Sequence, residues 1–199
     1  MTTPPDLLAR ELRLDGARPL ITWYDAATGG RVELSVATTA NWVAKIAGYL
    51  VDEVGVEPGD ALSLDPEPHW VTAVVLLSAW SVGAAVDLDG TGQRLDLPLD
   101  PMGAGLSALV AAYPDSFVAS EASGAELVNA VPEVPRGARL MSALPLDAPG
   151  TGWGLLAPLA AGGSVVYAPA DAKAADRAAA ERVTHTVGVD VPCLPRLGE

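Results

Sequence analysis

The stretch GVEPGDALSLDPEPHWVTAVVLLSAWSVGAAVDLD, residues 55–89, decides the fold. Gly55 and Pro58-Gly59 break the chain ahead of Ala61 to Leu64, an apolar run of strand length. Pro68 to Val82 is apolar nearly all round, which marks a buried helix rather than one lying on a surface. Gly83 stops it, and Ala84 to Leu88 is a second, Val-containing strand. Strand, helix and strand in this order form a βαβ unit, so the two strands should run parallel with a right-handed crossover. The apolar part of the helix, Trp70 to Val82, falls well short of the roughly 20 residues that cross a bilayer.

The reading extends in both directions. Upstream, Leu20 to Asp25 is rich in β-branched and aromatic residues, Thr28-Gly29-Gly30 signals a turn, and Arg31 to Ser35 alternates polar with apolar, which is a hairpin. Ser35, Thr38 and Thr39 offer N-caps for a helix whose apolar residues Val43, Ile46, Ala47, Leu50 and Val54 recur at helical spacing. Downstream, Asp89 to Pro101 reads as irregular, Gly103 to Tyr113 as a helix, Ser116 to Ala119 as a strand and Gly124 to Ala130 as a short helix. Strands at Arg139 to Ala143, Ser164 to Ala168 and Thr186 to Val189 then alternate with helices at Trp153 to Ala161 and Asp171 to Val183. Val82-Gly83 to Val86 and Gly162-Gly163 to Val166 repeat one phrase, a helix end followed by a Val-rich strand. The fold class is α/β, mostly parallel strands flanked by helices with an N-terminal β-hairpin. Residues 1–199 read as one domain with halves 1–100 and 101–199.

Composition narrows the function. The chain has 199 residues, 50% of them hydrophobic, enough to bury a core and to exclude disorder. Its formal net charge of −13 argues against a nucleic-acid groove or an anionic membrane surface, both of which reward clustered Lys and Arg. Lys45 and Lys173 are the only lysines, and Cys193, the single cysteine, excludes an internal disulfide. His69 and His185 lie far apart with no ligand-spaced neighbour, so no metal site is expected. Neither a G-x-S-x-G elbow nor a phosphate loop is present, and no cofactor is expected. The start, Met1 to Glu11, lacks a charged n-region followed by an apolar stretch, which places the protein in the cytoplasm. The partner class left open is another protein or a second copy of the chain.

Leu34 to Leu50, then Gly55-Val56-Glu57-Pro58-Gly59-Asp60, then Leu64 to Asp89 resemble the opening region of the adenylate-forming, AMP-binding synthetases, the superfamily of acyl-CoA ligases and peptide-synthetase adenylation domains. Gly83-Ala84-Ala85-Val86-Asp87-Leu88-Asp89 stands where that family has "GAVxVPLD". Pro145-Leu146 and the run Leu155 to Val166 look like its later "PLFH…LLAPLLAGATVV" segment. The resemblance implies the family's N-terminal α/β scaffold. Departures bear on activity: Gly90 to Leu144 contains no lysine where the family's phosphate-wrapping loop should lie. Asp147-Ala148 replaces an aromatic-His pair, setting a carboxylate near the expected anionic substrate. The chain stops at Glu199, ahead of the family's adenine- and ribose-binding motifs and its catalytic lysine. Pro19 to Asp25 and Ser35 to Lys45 resemble, more narrowly, an uncharacterised actinobacterial family of shortened AMP-binding-like proteins, and the GC-rich codon bias agrees. The implied role is a binding or interaction module without adenylation activity.

A competing motif is Asp87-Leu88-Asp89-Gly90-Thr91, which matches the D-x-D-G-T signature of haloacid-dehalogenase-like phosphatases. There Asp87 would be the phosphoryl acceptor and Asp89 the general acid/base, with Mg²⁺. Val118-Ala119-Ser120 and Lys173 would supply the hydroxyl and phosphate-binding lysine. The best acidic metal motif, Gly59-Asp60 to Asp65, however, precedes the nucleophile where that family needs it after. Asp65, Glu67 and His69 read as caps for the helix at 70 or, alternatively, as lining a site at a strand's carboxyl end. Gly150-Thr151-Gly152-Trp153-Gly154 reads as a turn into the helix at 153. Trp23, Trp42, Trp70, Trp80 and Trp153 read chiefly as core, and Cys193 has no base nearby to make it a nucleophile.

Overall fold

A computed structural model of the chain describes residues 2–87, 92–95, 103–119 and 128–198. It opens with a helix the sequence reading does not anticipate, α1 (Pro4–Asp15). Its start is a reciprocal cap: Thr3 Oγ1 accepts from Asp6 N at 3.3 Å while Asp6 Oδ2 accepts from Thr3 N at 2.9 Å, with prolines in the first turn. The hairpin follows as expected, β1 (Pro19–Tyr24) antiparallel to β2 (Arg31–Ser35). Ser35 caps α2 (Val36–Tyr49), its Oγ accepting from Thr38 N at 3.1 Å. The helix runs on through a π-turn at Leu50–Val54 and ends at Gly55, whose φ of 76° is the left-handed conformation that glycine adopts at little cost.

The unit read from residues 55–87 forms. Strands β3 (Ala61–Ser63) and β4 (Ala85–Asp87) pair in parallel, Ala61 opposite Ala85 and Ser63 opposite Asp87. Between them lies α3 (Trp70–Val82), every residue of which is buried. With no water to serve them, two of its hydroxyls turn back on the helix: Ser78 donates to Val74 O at 2.7 Å and Ser81 to Leu77 O at 2.8 Å. Gln93–Arg94 is not irregular but forms β5, pairing in parallel with β3. Helix α4 (Ala104–Val110) follows.

Ser116 to Ala119 is not a strand. Lys45 Nζ donates to the carbonyl of Tyr113 and pairs with Asp115 at 3.1 Å, which holds this segment along α2 instead of in a sheet. Phe117 packs on the core while Val118 stands 92% exposed. Of the helix expected at Gly124 to Ala130, residues 124–127 lie outside the described residues.

The second region supplies β6 (Arg139–Ser142), a helical segment α5 (Ala148–Thr151, a π-turn at Gly152–Leu156, then Ala157–Ala160), β7 (Ser164–Tyr167), α6 (Ala174–Ala180) and β8 (His185–Val187). Helix α5 starts five residues before Trp153 because Asp147 caps it, Oδ1 accepting from Gly150 N at 2.9 Å. The glycines read as a turn are therefore inside the helix. One sheet has the order β2-β1-β7-β6-β8, the other β4-β3-β5, so the N-terminal hairpin is edged onto strands from the far end of the chain. Ile21 and Leu140 flank Val165 across three parallel strands, all three buried, as in sheets covered on both faces. One apolar cluster from Leu7 to Tyr167 joins both sheets around α3, and a smaller one, including Met141, Val166, Ala174 and Ala178, seats α6 on the outer face of the larger sheet.

Candidate functional site

Open α/β sheets bind ligands beyond the carboxyl ends of their parallel strands. Here Trp23, next to last in β1, meets His69, in the loop after β3. The Trp23 and His69 rings pack at a tilt of 54° with centroids 4.3 Å apart, and both residues are buried. Leu146 N donates to Pro66 O at 2.6 Å, tying the loop after β6 to the loop after β3. His69 does the capping expected of the trio: its Nδ1 accepts from Val71 N at 3.0 Å. Asp65 is exposed and pairs with Arg94 at 3.6 Å, and Glu67 is exposed.

Asp87 ends β4, and its Oδ2 accepts from Gly92 N at 2.8 Å, closing the connection to β5. Asp89, Gly90, Thr91 and Ser120 lie outside the described residues. The remaining residues of the phosphatase constellation are dispersed. Val118 sits in no strand, Asp60 Oδ2 accepts from Glu57 N at 2.8 Å in the turn before β3, and Lys173 leads α6 on the other sheet. Among the described residues, no group of three His, Cys, Asp or Glu is placed to hold a metal ion. Nor is any described helix long and apolar enough to cross a membrane.

The Asp147 carboxylate is spent on the backbone of α5. Lys45, clamped to Tyr113 and Asp115, borders with the half-buried Trp42 a groove of about 210 Å³ between α2 and α4 whose other wall includes Ser107. Trp42 packs on Trp70 at 5.4 Å, and Trp70 and Trp80 are core. Cys193 is exposed.

Sequence reasoning misses two polar networks that bind elements to the larger sheet. Glu181, 8% exposed, follows α6 and collects Tyr24 Oη at 2.7 Å, Arg31 Nε at 2.7 Å and Arg139 Nη2. Burial alone would push its carboxyl up, but the hydrogen bonds from Arg31, Tyr24 and Arg139 outweigh it and hold the pKa at about 2. Glu11, 3% exposed on α1, likewise ends below the usual range: burial raises it, and Arg18 at 2.7 Å and Arg10 at 2.8 Å lower it further. Arg10 also donates to Ala160 O at 2.8 Å and Arg18 to Gly163 O, covering carbonyls at and beyond the end of α5. Tyr24 and Arg31 lie 157 and 150 positions from Glu181, and Arg10 and Arg18 150 and 145 from the carbonyls they cover, so the chain shows the charged residues but not these partnerships.

No family model matches the chain. A "TIGR03089 family protein" of Mycobacterium tuberculosis (strain ATCC 25618 / H37Rv) is 45% identical over 93 residues, a match that covers 45% of this chain and 38% of that protein. The N-terminal domain of FACL13 from M. tuberculosis superposes with a TM-score of 0.70 at 14% identity, over 94% of this chain and 63% of that one. The M. tuberculosis fatty acyl CoA synthetase does so with a TM-score of 0.69 at 13% identity, over 93% of this chain and 49% of the other. The anthranilate CoA ligase AuaEII, in complex with anthranoyl-AMP, gives 0.68 at 15% identity, over 94% and 48%. The chain thus spans less than two thirds of each of these proteins. Its fold is that of the N-terminal domains of acyl-CoA synthetases and related adenylate-forming enzymes, as the motifs at 55–89 and 155–166 imply.

Proposed function

We propose that residues 1–199 act as a single binding or interaction module on the adenylate-forming N-terminal scaffold, in the cytoplasm, without themselves supplying adenylation chemistry. The observation that supports this is the disposition of the lysines. A polyphosphate is held by backbone N–H groups together with a cation, and residues 90–144 contain no lysine. Lys45 is committed to Tyr113 and Asp115, and Lys173 is exposed at the start of α6, the helix seated on the larger sheet. Another protein fits the role better than nucleic acid, given the net charge of −13. ATP–pyrophosphate exchange tests the reading: residues 1–199 should give no exchange above a protein-free blank with a panel of carboxylic acids, and exchange at an enzyme-like rate would refute it.

A second reading, a Mg²⁺-dependent phosphatase using Asp87 and Asp89, has in its favour the position of Asp87 at a strand's carboxyl end. Mg²⁺-dependent hydrolysis of p-nitrophenyl phosphate that disappears in Asp87→Asn would establish it in place of the first.

A further inference from the structure

At the amino ends of β1, β6 and β7 two hollows of about 410 and 430 Å³ adjoin, sharing Gly137 and Gly162 in their floor. Arg18, Arg139 and Arg182 line the first, and Arg10 and Arg136 the second. Among the described residues, the carboxylates lining them are Glu181 and Glu11. This edge therefore carries an excess of positive charge in a protein whose formal net charge is −13. Arg10, Arg18 and Arg139 are occupied with those two carboxylates and with backbone carbonyls. Arg136 and Arg182 are exposed and have no ion-pair partner among the described residues. Arg182 sits at φ 53°, two residues after α6, its N–H returning to Ala179 O at 3.2 Å, so the helix end fixes where its side chain departs.

We infer that this edge is a docking surface for an acidic, extended segment of a partner protein, with Arg136 and Arg182 each receiving a carboxylate in the forked geometry guanidinium favours. The inference deepens the interaction-module reading and rests on it. The hollows are lined by charged side chains and by glycines, unlike the mainly apolar pockets that hold small molecules. A second copy of this chain is disfavoured because two strongly acidic molecules repel. A nucleic acid wants a longer basic track than one sheet edge provides.

The test is fluorescence anisotropy of a fluorescein-labelled decaglutamate peptide with residues 1–199 at about 50 mM salt, where surface charge is weakly screened. Saturable binding is expected, weakened about tenfold or more by Arg136→Glu with Arg182→Glu and changed less than about twofold by Arg94→Glu, an exposed arginine on β5. Circular dichroism melts verify that the variants fold. Absence of saturation, an equal effect of Arg94→Glu, or tighter binding of an oligothymidylate of the same charge would overturn the proposal. So would sedimentation showing self-association that the double variant abolishes. None of these outcomes bears on pyrophosphate exchange, so the two readings fail separately.

Discussion

Replacing Glu181 by Gln removes the charge on which three elements converge, since β1, β2 and β6 each send it a donor. A carboxyl held at about 2 instead of its ordinary 4.5 corresponds to a stabilisation of at most about 3 kcal/mol at neutral pH. Arg31 is 40% exposed, so solvent screens its share, and about 2 kcal/mol is the working figure. For a chain of this length that is a fall in Tm of about 4–8 °C at pH 7. The sign of the pH dependence follows from the depressed pKa. Above the unfolded value near 4.5 the contribution is complete, and it is lost as pH falls from there towards 2, because the unfolded chain takes up a proton that the folded one refuses. The assay is urea unfolding of wild type and Glu181→Gln in parallel at intervals from pH 7 down to the lowest pH at which both fold. The free-energy gap between them should be constant above pH 5 and close progressively below about 4.5. A gap that stays constant through acid, or a variant as stable as wild type at pH 7, would refute the claim that these ion pairs hold the hairpin and α6 onto the sheet.

Asp147→Ala should cost about 1 kcal/mol in urea unfolding, the ordinary loss of an N-cap, with no effect on any ligand titration. Gly150→Ala should cost more, about 2 kcal/mol or above, because a Cβ there would lie 1.7 Å from Pro145 O, a backbone atom that cannot swing aside; a melt within two degrees of wild type would contradict this packing. Lys45→Met should leave Tm within about 3 °C yet speed limited proteolysis in the Tyr113–Ala119 segment, whose hold on α2 includes that ammonium.

The residues that made the fold legible are those whose neighbours are close in sequence. The βαβ unit at 61–87, the hairpin and the Gly83 and Gly55 stops all follow from local periodicity and from glycines that turn left-handed, φ 91° and 76°. Helix α1 was legible too, in Thr3-Pro4-Pro5-Asp6, a capping signature that a search for a targeting signal passes over. Ser116 to Ala119 shows the limit: strand propensity says that a segment suits a sheet, not that an edge is free beside it, and Lys45 settles the matter from 68 positions away.

The candidate site divides along the same line. Composition and motif order alone determined the scaffold, the acidity, and the scarcity of lysine that argues against phosphate chemistry. The tertiary structure alone decided that the hairpin shares a sheet with β6 to β8, that Trp23 packs on His69, and that Arg10, Arg18, Arg136, Arg139 and Arg182 gather at one edge. The physical reason is that parallel pairing joins strands whose separation in sequence carries no local signal. Charges that are scattered along the chain therefore become neighbours only when the sheet assembles.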